Sequence, residues 1–256
     1  MDKGEFYDKG YYAGLAAEPR FKTILKIAGR MKPQVESLLD VGCGDGSFTV
    51  LIKQATEAKE AVGIEIAKEA VIAAQHKGIK AIQLDIDTNQ FPFNDGSFDL
   101  VYCGEIIEHL FNPDHLLREV HRVLKPGGIA LISTPNLAGW PNRLALLLGY
   151  QPYPTAVSPE HEHIGKLLAR GYEGQWGHIR VFTAKALKEE LQLHDFEIMH
   201  MLGCPVLITS QLPPIIGRFA ANIDKVMSMF PPLATRLIVV VKKTNTKRKS
   251  ADVCRT

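Results

Sequence analysis

The chain has 256 residues, of which 46% are hydrophobic and 23% charged, and its formal net charge is +2. These values are typical of a globular protein that can bury a sizeable core, and no stretch approaches the roughly 20 apolar residues of a membrane span. The sequence begins with no apolar run of the secretory type, and its four cysteines form no paired motif. We therefore expect a cytoplasmic protein without a disulfide framework.

The positive charge is concentrated at the end of the sequence. From residue 242 onward there are six Lys and Arg residues and one Asp, a charge of +5, which leaves −3 for residues 1–241. A slightly acidic body does not suit duplex binding, so a nucleic-acid partner is not expected. Residues 243–256 are predicted to be a flexible basic tail, with a membrane or nucleic-acid contact as the alternative.

Apolar segments of strand length alternate with helical patterns through the first half of the chain. A helix is predicted over 21–30, before the first strand. The predicted strands cover 37–41, 61–65, 81–85, 98–103 and 129–134, and the helices between them cover 48–56, 68–77 and 113–124, the last ended by Gly127 and Gly128. Near-continuous apolar strands are typical of parallel sheets covered on both faces, and the alternation predicts a doubly wound α/β fold.

The alternation breaks after residue 134. A helix over 183–193, with Thr183 as its N-cap, and strands over 196–201 and 237–242 complete a mostly parallel sheet of seven strands. Segments 135–180, with a short helix over 143–148, and 203–234 are long insertions after the fifth and sixth strands. They are predicted to form lids within one domain spanning residues 1–242.

A glycine-rich turn lies where the first strand meets its helix. Residues 39–46 read LDVGCGDG, and glycines at 42, 44 and 46 permit a tight turn and close approach to a ligand. Their spacing differs from the GxGxxG of dinucleotide folds. Glu65 follows about twenty residues later at the end of the second strand, where an acid can accept from ribose hydroxyls, unless it is a surface glutamate.

Asp85 ends the third predicted strand, where it could accept from an adenine amino group while Ile86 covers the ring. The segments DVGCGDG, GIEIA, LDID, FDLVYCGEIIEHL and LKPGGIALIST together resemble the class I methyltransferases that use S-adenosylmethionine (SAM), of the type 11 and 23 kind, over about 21–134. The resemblance implies a Rossmann-like fold in which Asp40, Gly42 and Gly44 face the methionine part of SAM, Glu65 holds the ribose and Asp85 the adenine.

The full set of predicted SAM contacts is Arg20, Asp40, Gly42, Cys43, Gly44, Glu65, Ile66, Asp85, Ile86 and Cys103. Arg20 belongs to an EPRF segment that resembles one whose arginine pairs the SAM carboxylate in some relatives. A solvated cation at the start of a helix is the alternative.

The residues after the fourth strand are candidates for positioning and deprotonating the methyl acceptor. Transfer from a sulfonium is an in-line displacement, which needs a deprotonated nucleophile about 3 Å from the methyl carbon. Glu105, Glu108 and His109 are spaced i, i+3 and i+4, so we expect them to share one face of a helical turn.

This trio resembles the ExxEH element of two families, the ubiquinone-biosynthesis O-methyltransferases and the small-RNA 3′-terminal 2′-O-methyltransferases. The resemblance implies a divalent metal, and His178 has the spacing of the histidine that completes the site in the RNA enzymes. The predicted metal ligands are therefore Glu105, Glu108, His109 and His178, and the predicted catalytic residues are Glu105, His109 and His178. Such a set suits Mg²⁺, Mn²⁺ or another first-row ion, and the alternatives are a metal-free base and structural roles.

The sequence thus predicts a SAM-dependent methyltransferase that acts on the oxygen of a small phenol, catechol or sugar diol. A lipid-linked or quinone acceptor at a membrane surface is an alternative, based on an apolar face within 212–237 and on the basic tail. That face could instead pack over the sheet. An RNA-terminal 2′-O-methyltransferase would need a wider basic surface, and a SAM-binding regulator would not need the acidic and histidine residues.

Overall fold

The computed structural model describes residues 18–31, 34–158, 160–161, 163–167, 177–206 and 214–244, which form a central β-sheet with helices on both faces. The strands are β1 (Ser37–Val41), β2 (Glu60–Glu65), β3 (Lys80–Gln83), β4 (Phe98–Gly104), β5 (Leu124–Pro135), β6 (Phe196–Cys204) and β7 (Arg236–Lys243). The helices are α1 (Pro19–Gly29), α2 (Ser47–Thr56), α3 (Lys68–His76), α4 (Pro113–Val123), α5 (Trp140–Leu147), α6 (Ala184–Leu193) and α7 (Pro214–Met227), with a 3₁₀ turn over Ile107–His109.

The seven strands form one sheet in the order β3-β2-β1-β4-β5-β7-β6. Strands β1 to β5 are parallel, and β7 runs antiparallel between β5 and β6. The predicted doubly wound, mostly parallel sheet is confirmed. The chain order reverses between β1 and β4, and ligands of open α/β sheets bind at the carboxyl ends of the strands at such a point.

Two apolar cores cover the two faces of the sheet. Alternate strand residues point to opposite faces, so that Leu38 and Leu100 pack with α1, α2 and α3, whereas Leu39 and Val101 pack with α4 and α6. Both faces of a central strand are therefore buried, which explains the continuous apolar strand sequences.

Three predicted boundaries are corrected by the structure. Gly127 and Gly128 do not end the fourth helix, because α4 stops at Val123 and both glycines lie within β5. Gly127 has a φ of 77°, where the pairing of β4 with β5 shifts register. The third strand ends at Gln83, so Asp85 lies beyond it, and the helix of the first insertion is α5 rather than 143–148.

The predicted helix cap is confirmed, since the Thr183 hydroxyl oxygen accepts a hydrogen bond from the Ala186 N–H at 3.1 Å. Both insertions meet at the carboxyl edge of the sheet, where the Asn136 side chain donates to the Ala234 carbonyl at 2.7 Å. Residues 168–176 and 207–213 of these insertions and the predicted tail from 245 onward lie outside the described residues. Among the described helices, none is long and apolar enough to cross a membrane.

Asp99 of β4 forms polar contacts with β1 and β5 at the amino edge of the sheet, opposite the carboxyl edge. Its Oδ2 accepts hydrogen bonds from the Ser37 N–H at 2.9 Å and the Glu36 N–H at 3.0 Å, and its carboxylate pairs with Lys125 at 2.8 Å. Burial acts to raise the pKa of Asp99, but the bonds from Lys125 and Ser37 hold it below its ordinary value. Asp99 is therefore a structural residue.

We predict that Asp99→Asn lowers the free energy of unfolding by about 2 kcal/mol at neutral pH, because charge-assisted bonds are lost. A carboxylate with a lowered folded pKa stabilises the fold above its unfolded pKa, so the difference should shrink as the pH falls below about 4. Urea unfolding measures both effects. Glu60→Gln, which breaks an exposed ion pair with Lys80, is the control and should change stability by less than about 0.5 kcal/mol. Equal stability of Asp99→Asn and the wild type would contradict the assignment.

Candidate active site

The glycine turn closes tightly at the carboxyl end of β1. Gly42 and Gly46 have φ angles of 78° and 76°, a region that other residues avoid. A Cβ at Gly42 would lie 3.0 Å from the Ile106 side chain, and one at Gly46 would lie 2.9 Å from the Ala74 side chain. The turn is thus in contact with the segment after β4 that carries the predicted acceptor residues.

Glu65 is buried at the end of β2 and faces this turn. Its Oε2 accepts from the Gly44 N–H at 3.0 Å, and its Oε1 accepts from the N–H groups of Ile66 and Ala67 at 2.8 and 3.0 Å. A surface glutamate at this position is thereby excluded. Three backbone donors fix the carboxylate in one orientation, and its remaining lone pairs can accept from a diol. The Ile66 side chain beside it is exposed.

Asp85 and Ile86 lie in the loop after β3. The exposed Asp85 carboxylate accepts from the Asp87 N–H at 2.9 Å and the Thr88 hydroxyl at 3.2 Å, so the loop holds it in place. Ile86 is buried in the core that β1 and β4 share with α4. The Asp85 carboxylate remains accessible to an amino group of a ligand.

Asp40 is buried at the end of β1 and is only partly satisfied. Its Oδ2 accepts from the Thr49 hydroxyl at 2.6 Å, whereas its Oδ1 is buried without a hydrogen-bond partner among the described residues. Burial raises the pKa of Asp40 to about 7, opposed by the Thr49 bond and assisted by the negative charge of Glu65. A cationic group of a ligand would satisfy this oxygen, and SAM carries both an ammonium and a sulfonium.

The cysteines of the predicted site are buried as neutral thiols. Burial raises the pKa of both Cys43 and Cys103 far above the usual range. Cys43 packs with the α1–α3 core and Cys103 with the opposite core. A thiol with a raised pKa is a poor nucleophile, so both side chains act as small apolar groups.

Arg20 and Arg236 both form ion pairs with the Glu105 carboxylate. Arg20 Nη1 lies 3.2 Å and Arg236 Nε lies 2.8 Å from Glu105 Oε2. The Arg236 N–H is not aligned for a hydrogen bond, so this contact is an ion pair. Arg20 is only 4% exposed, and the alternative of a solvated cation is wrong. Burial acts to raise the pKa of Glu105, but Arg236 and Arg20 hold it below its ordinary range.

The helical turn predicted to carry Glu105, Glu108 and His109 together is wrong. Glu105 has a φ of 54°, and the 3₁₀ turn begins only at Ile107. The Ser133 hydroxyl donates to Glu105 Oε1 at 2.9 Å, so Ser133 and the two arginines engage this carboxylate, and it is not among the ligand atoms that lie within 4.8 Å of one another. Glu105 therefore lies outside the cluster described next.

The structure brings three of the four predicted metal ligands together: Glu108, His109 and His178 each have one ligand atom within 4.8 Å of the others. Glu108 is fully buried, and its Oε2 accepts from the Thr134 hydroxyl at 2.9 Å. Its Oε1 has no hydrogen-bond partner among the described residues and lies 4.0 Å from His178 Nε2. Burial and the charge of Glu105 raise the pKa of Glu108 to about 8.

His178 is held in place by backbone contacts. Its Nδ1 lies 2.9 Å from the Pro154 carbonyl oxygen, which can only accept, so Nδ1 carries a proton and the neutral ring presents its lone pair at Nε2. The next residues, Ile179 and Arg180, donate from their N–H groups to the Glu108 carbonyl at 2.7 and 3.0 Å. The rings of His178 and His109 lie 4.8 Å apart between centroids.

Arg236 and the role of Thr134 were not predicted from the sequence. Arg236 reaches Glu105 because β7 pairs antiparallel with β5, so that Pro135 lies opposite Arg236. No local pattern around Arg236 indicates this pairing. Thr134 ends the fifth predicted strand, and a polar residue at the carboxyl end of a buried strand is the signal that could have found it.

A methyltransferase domain family matches residues 12–201, which is more than half of the chain. The chain belongs to this family. Together with the fold, the match identifies a class I SAM-dependent methyltransferase domain, as the motifs predicted. SAM is its expected cofactor, and the buried Asp40 oxygen and the oriented Glu65 carboxylate fit such a ligand.

Similar proteins include two curated methyltransferases. The ubiquinone biosynthesis O-methyltransferase of Xanthomonas oryzae pv. oryzae is 30% identical over 174 residues, which cover 66% of this chain and 68% of the relative. The 27-O-demethylrifamycin SV methyltransferase of Amycolatopsis mediterranei is 30% identical over 135 residues, 49% of each chain. The chain spans between 34% and 68% of the length of these and other curated relatives.

A solved structure of a Haloferax volcanii methyltransferase in complex with the Trm112 methyltransferase activator has a TM-score of 0.63. The match covers 96% of this chain and 99% of that chain at 17% identity. At this identity the likeness shows the fold alone.

We predict that Glu65→Ala weakens SAM binding by about 2 kcal/mol, because charge-assisted hydrogen bonds to the ribose are lost. Isothermal titration calorimetry measures the affinity. Glu69→Ala, at an exposed position in the first turn of α3, is the matched control and should bind SAM like the wild type. An unchanged affinity of Glu65→Ala would place the ribose elsewhere.

A second prediction concerns pH. A cationic ligand favours ionised Asp40, whose pKa is raised to about 7 by burial, so protons compete with SAM. The affinity should fall by up to about tenfold per pH unit below pH 7 and level off above it. Titrations between pH 6 and 8 test this, with Asp40→Asn expected to bind more weakly and without the slope. A flat profile in the wild type would show that Asp40 does not face a cation.

Proposed function

We propose that the protein transfers the methyl group of SAM to the hydroxyl oxygen of a small phenol, catechol or sugar diol. The observation that carries this proposal is the cluster of the buried Glu108 with the half-buried His109 and His178. The cluster lies close to the predicted cofactor, because the side chain of Ile106, two residues before Glu108, reaches the glycine turn at Gly42.

The reaction requires an acceptor oxygen that attacks the methyl carbon as the carbon–sulfur bond breaks, with S-adenosylhomocysteine as the leaving product. The hydroxyl proton must leave the oxygen, and a neutral imidazole is suited to receive it. His178 Nε2 presents a lone pair because its Nδ1 proton is engaged by Pro154. In this role His178 is the base, and His109 beside it orients the acceptor.

As an alternative to His178 acting as the base, the cluster fits a divalent cation that Glu108, His109 and His178 would hold, in which case the His178 Nε2 lone pair is a ligand and the hydroxyl proton leaves to solvent. Supporting this, Glu108 Oε1 is buried without a hydrogen-bond partner among the described residues, and burial together with the charge of Glu105 raises the pKa of Glu108 to about 8. Two imidazoles and one carboxylate suit Mn²⁺, Fe²⁺, Co²⁺ or Zn²⁺ better than Mg²⁺. When bound, the cation would lower the pKa of the acceptor hydroxyl.

Glu105, predicted as both a catalytic residue and a metal ligand, has a different role in this proposal. Its Oε2 is paired with Arg20 and Arg236, so the carboxylate orients two guanidinium groups at the carboxyl edge of the sheet. We infer that Arg20 in this arrangement pairs with the SAM carboxylate. A lipid-linked or quinone acceptor is the second candidate function, favoured by apolar helix faces that lie exposed at the same edge.

We predict that Glu108→Gln and His178→Ala each lower both metal uptake and methyl transfer at least about tenfold while SAM affinity is kept. Metal content is measured by mass spectrometry after loading with Mn²⁺ or Zn²⁺, and transfer is assayed on catechols, glycans and alkylated quinols. His76→Ala, an exposed histidine on α3, is the control.

Three results would revise the proposal. The wild type could take up no metal while both variants lose methyl transfer. That result would support His178 as a base that acts without a metal. Transfer to amines but to no hydroxyl compound would overturn O-methylation. Wild-type activity in both variants would remove the cluster from the mechanism.

A further inference from the structure

Two neighbouring helices at the carboxyl edge expose large apolar side chains. Ile215 and Phe219 on α7 are 84% and 68% exposed, and Leu147 on α5 is 82% exposed. We refer to these exposed side chains as the α5–α7 surface, which consists of Leu146, Leu147, Ile215, Phe219, Met229 and Phe230.

The orientation of α7 is fixed by polar contacts on its inner side. Asp224 and Ser228 are buried, and Asp224 accepts from the Trp140 indole N–H and from the Val206 N–H, each at 2.8 Å. Helix α5 is oriented in the same way, with its polar residue Asn142 buried and its leucines exposed. The apolar face of α7 cannot turn inward without breaking the Asp224 bonds. The predicted packing of this face over the sheet is therefore wrong.

The exposed charges of the two segments that carry the α5–α7 surface have one sign. Arg218 and Lys225 lie two turns apart on one side of α7, and Arg143 lies on α5, all three exposed. Within the described residues 140–151 and 214–235, the only acidic side chain is that of Asp224, which is buried. Helices that combine an outward apolar face with exposed cations and no exposed acid are typical of the interface of anionic membranes.

We propose that the α5–α7 surface docks on the surface of a bilayer that contains anionic lipids. The exposed apolar side chains enter the headgroup region while Arg143, Arg218 and Lys225 pair with lipid phosphates. Since α5 follows β5 and α7 precedes β7, docking places the membrane beside the carboxyl edge that holds Glu105 and Arg236. The docking itself needs no methyl transfer, whereas its link to a lipid-borne acceptor rests on the proposed function.

The full-length protein is tested by sedimentation with vesicles of phosphatidylcholine alone and with phosphatidylglycerol added, without SAM or acceptor. We expect the wild type to bind the anionic vesicles, and the double variant Ile215→Ser with Phe219→Ser to bind at least about tenfold less. Arg218→Glu with Lys225→Glu should lose the preference for anionic lipid. Ile72→Ser, an exposed isoleucine on α3, is the matched control and should bind like the wild type.

SAM affinity serves as the test of folding for every variant. The proposal is overturned if the wild type binds no vesicles at low salt. It is equally overturned if light scattering finds a dimer that the apolar double variant dissociates, since a second copy then covers the surface. Vesicle binding that survives the double variant but is lost on removal of residues 245–256 would assign the contact to the tail. A failure of methyl transfer leaves all these measurements unaffected.

Discussion

Four acidic side chains, Asp40, Glu65, Glu105 and Glu108, lie at the carboxyl edge of the sheet, and three of them are buried. A buried carboxylate needs donors or cations, and the chain provides them unequally. Three backbone N–H groups satisfy Glu65, and two guanidinium groups pair with Glu105. Asp40 and Glu108 each keep one buried oxygen without a partner among the described residues. We propose that cationic groups of ligands bind at those two oxygens.

The raised pKa values of these two carboxyl groups have the same origin. Burial is the first cause for both, and a neighbouring carboxylate adds to it, Glu65 for Asp40 and Glu105 for Glu108. A cation bound beside either carboxyl group would release a proton and relieve the desolvation penalty. In the proposed function, SAM binding would therefore depend on pH through Asp40, and the binding of an acceptor-side cation would depend on pH through Glu108.

Local patterns were sufficient to predict the sheet and the positions of the glycine turn and Glu65 at its carboxyl edge. The glycine turn and Glu65 follow directly from strand and helix periodicity, because each lies at the end of a buried strand. The conformation of Glu105 could not be predicted in this way. Its left-handed backbone accompanies contacts with Arg20 and Arg236, which come from opposite ends of the chain and meet only because β7 inserts between β5 and β6. The i, i+3 spacing of Glu105 and Glu108 therefore predicted incorrectly that both residues belong to one cluster.

The outer face of α7 was unpredictable for a related reason. Helical spacing indicates an apolar face, but it does not say whether that face points toward the sheet or toward solvent. The Trp140–Asp224 bond decides the orientation, and its partners come from different insertions. A folded chain usually pairs its buried polar atoms and buries its apolar faces. The unpaired oxygens of Asp40 and Glu108 are exceptions to the first rule, and the outward apolar face of α7 is an exception to the second. Such exceptions concentrate at functional sites, and here they lie at the one edge where the strands end.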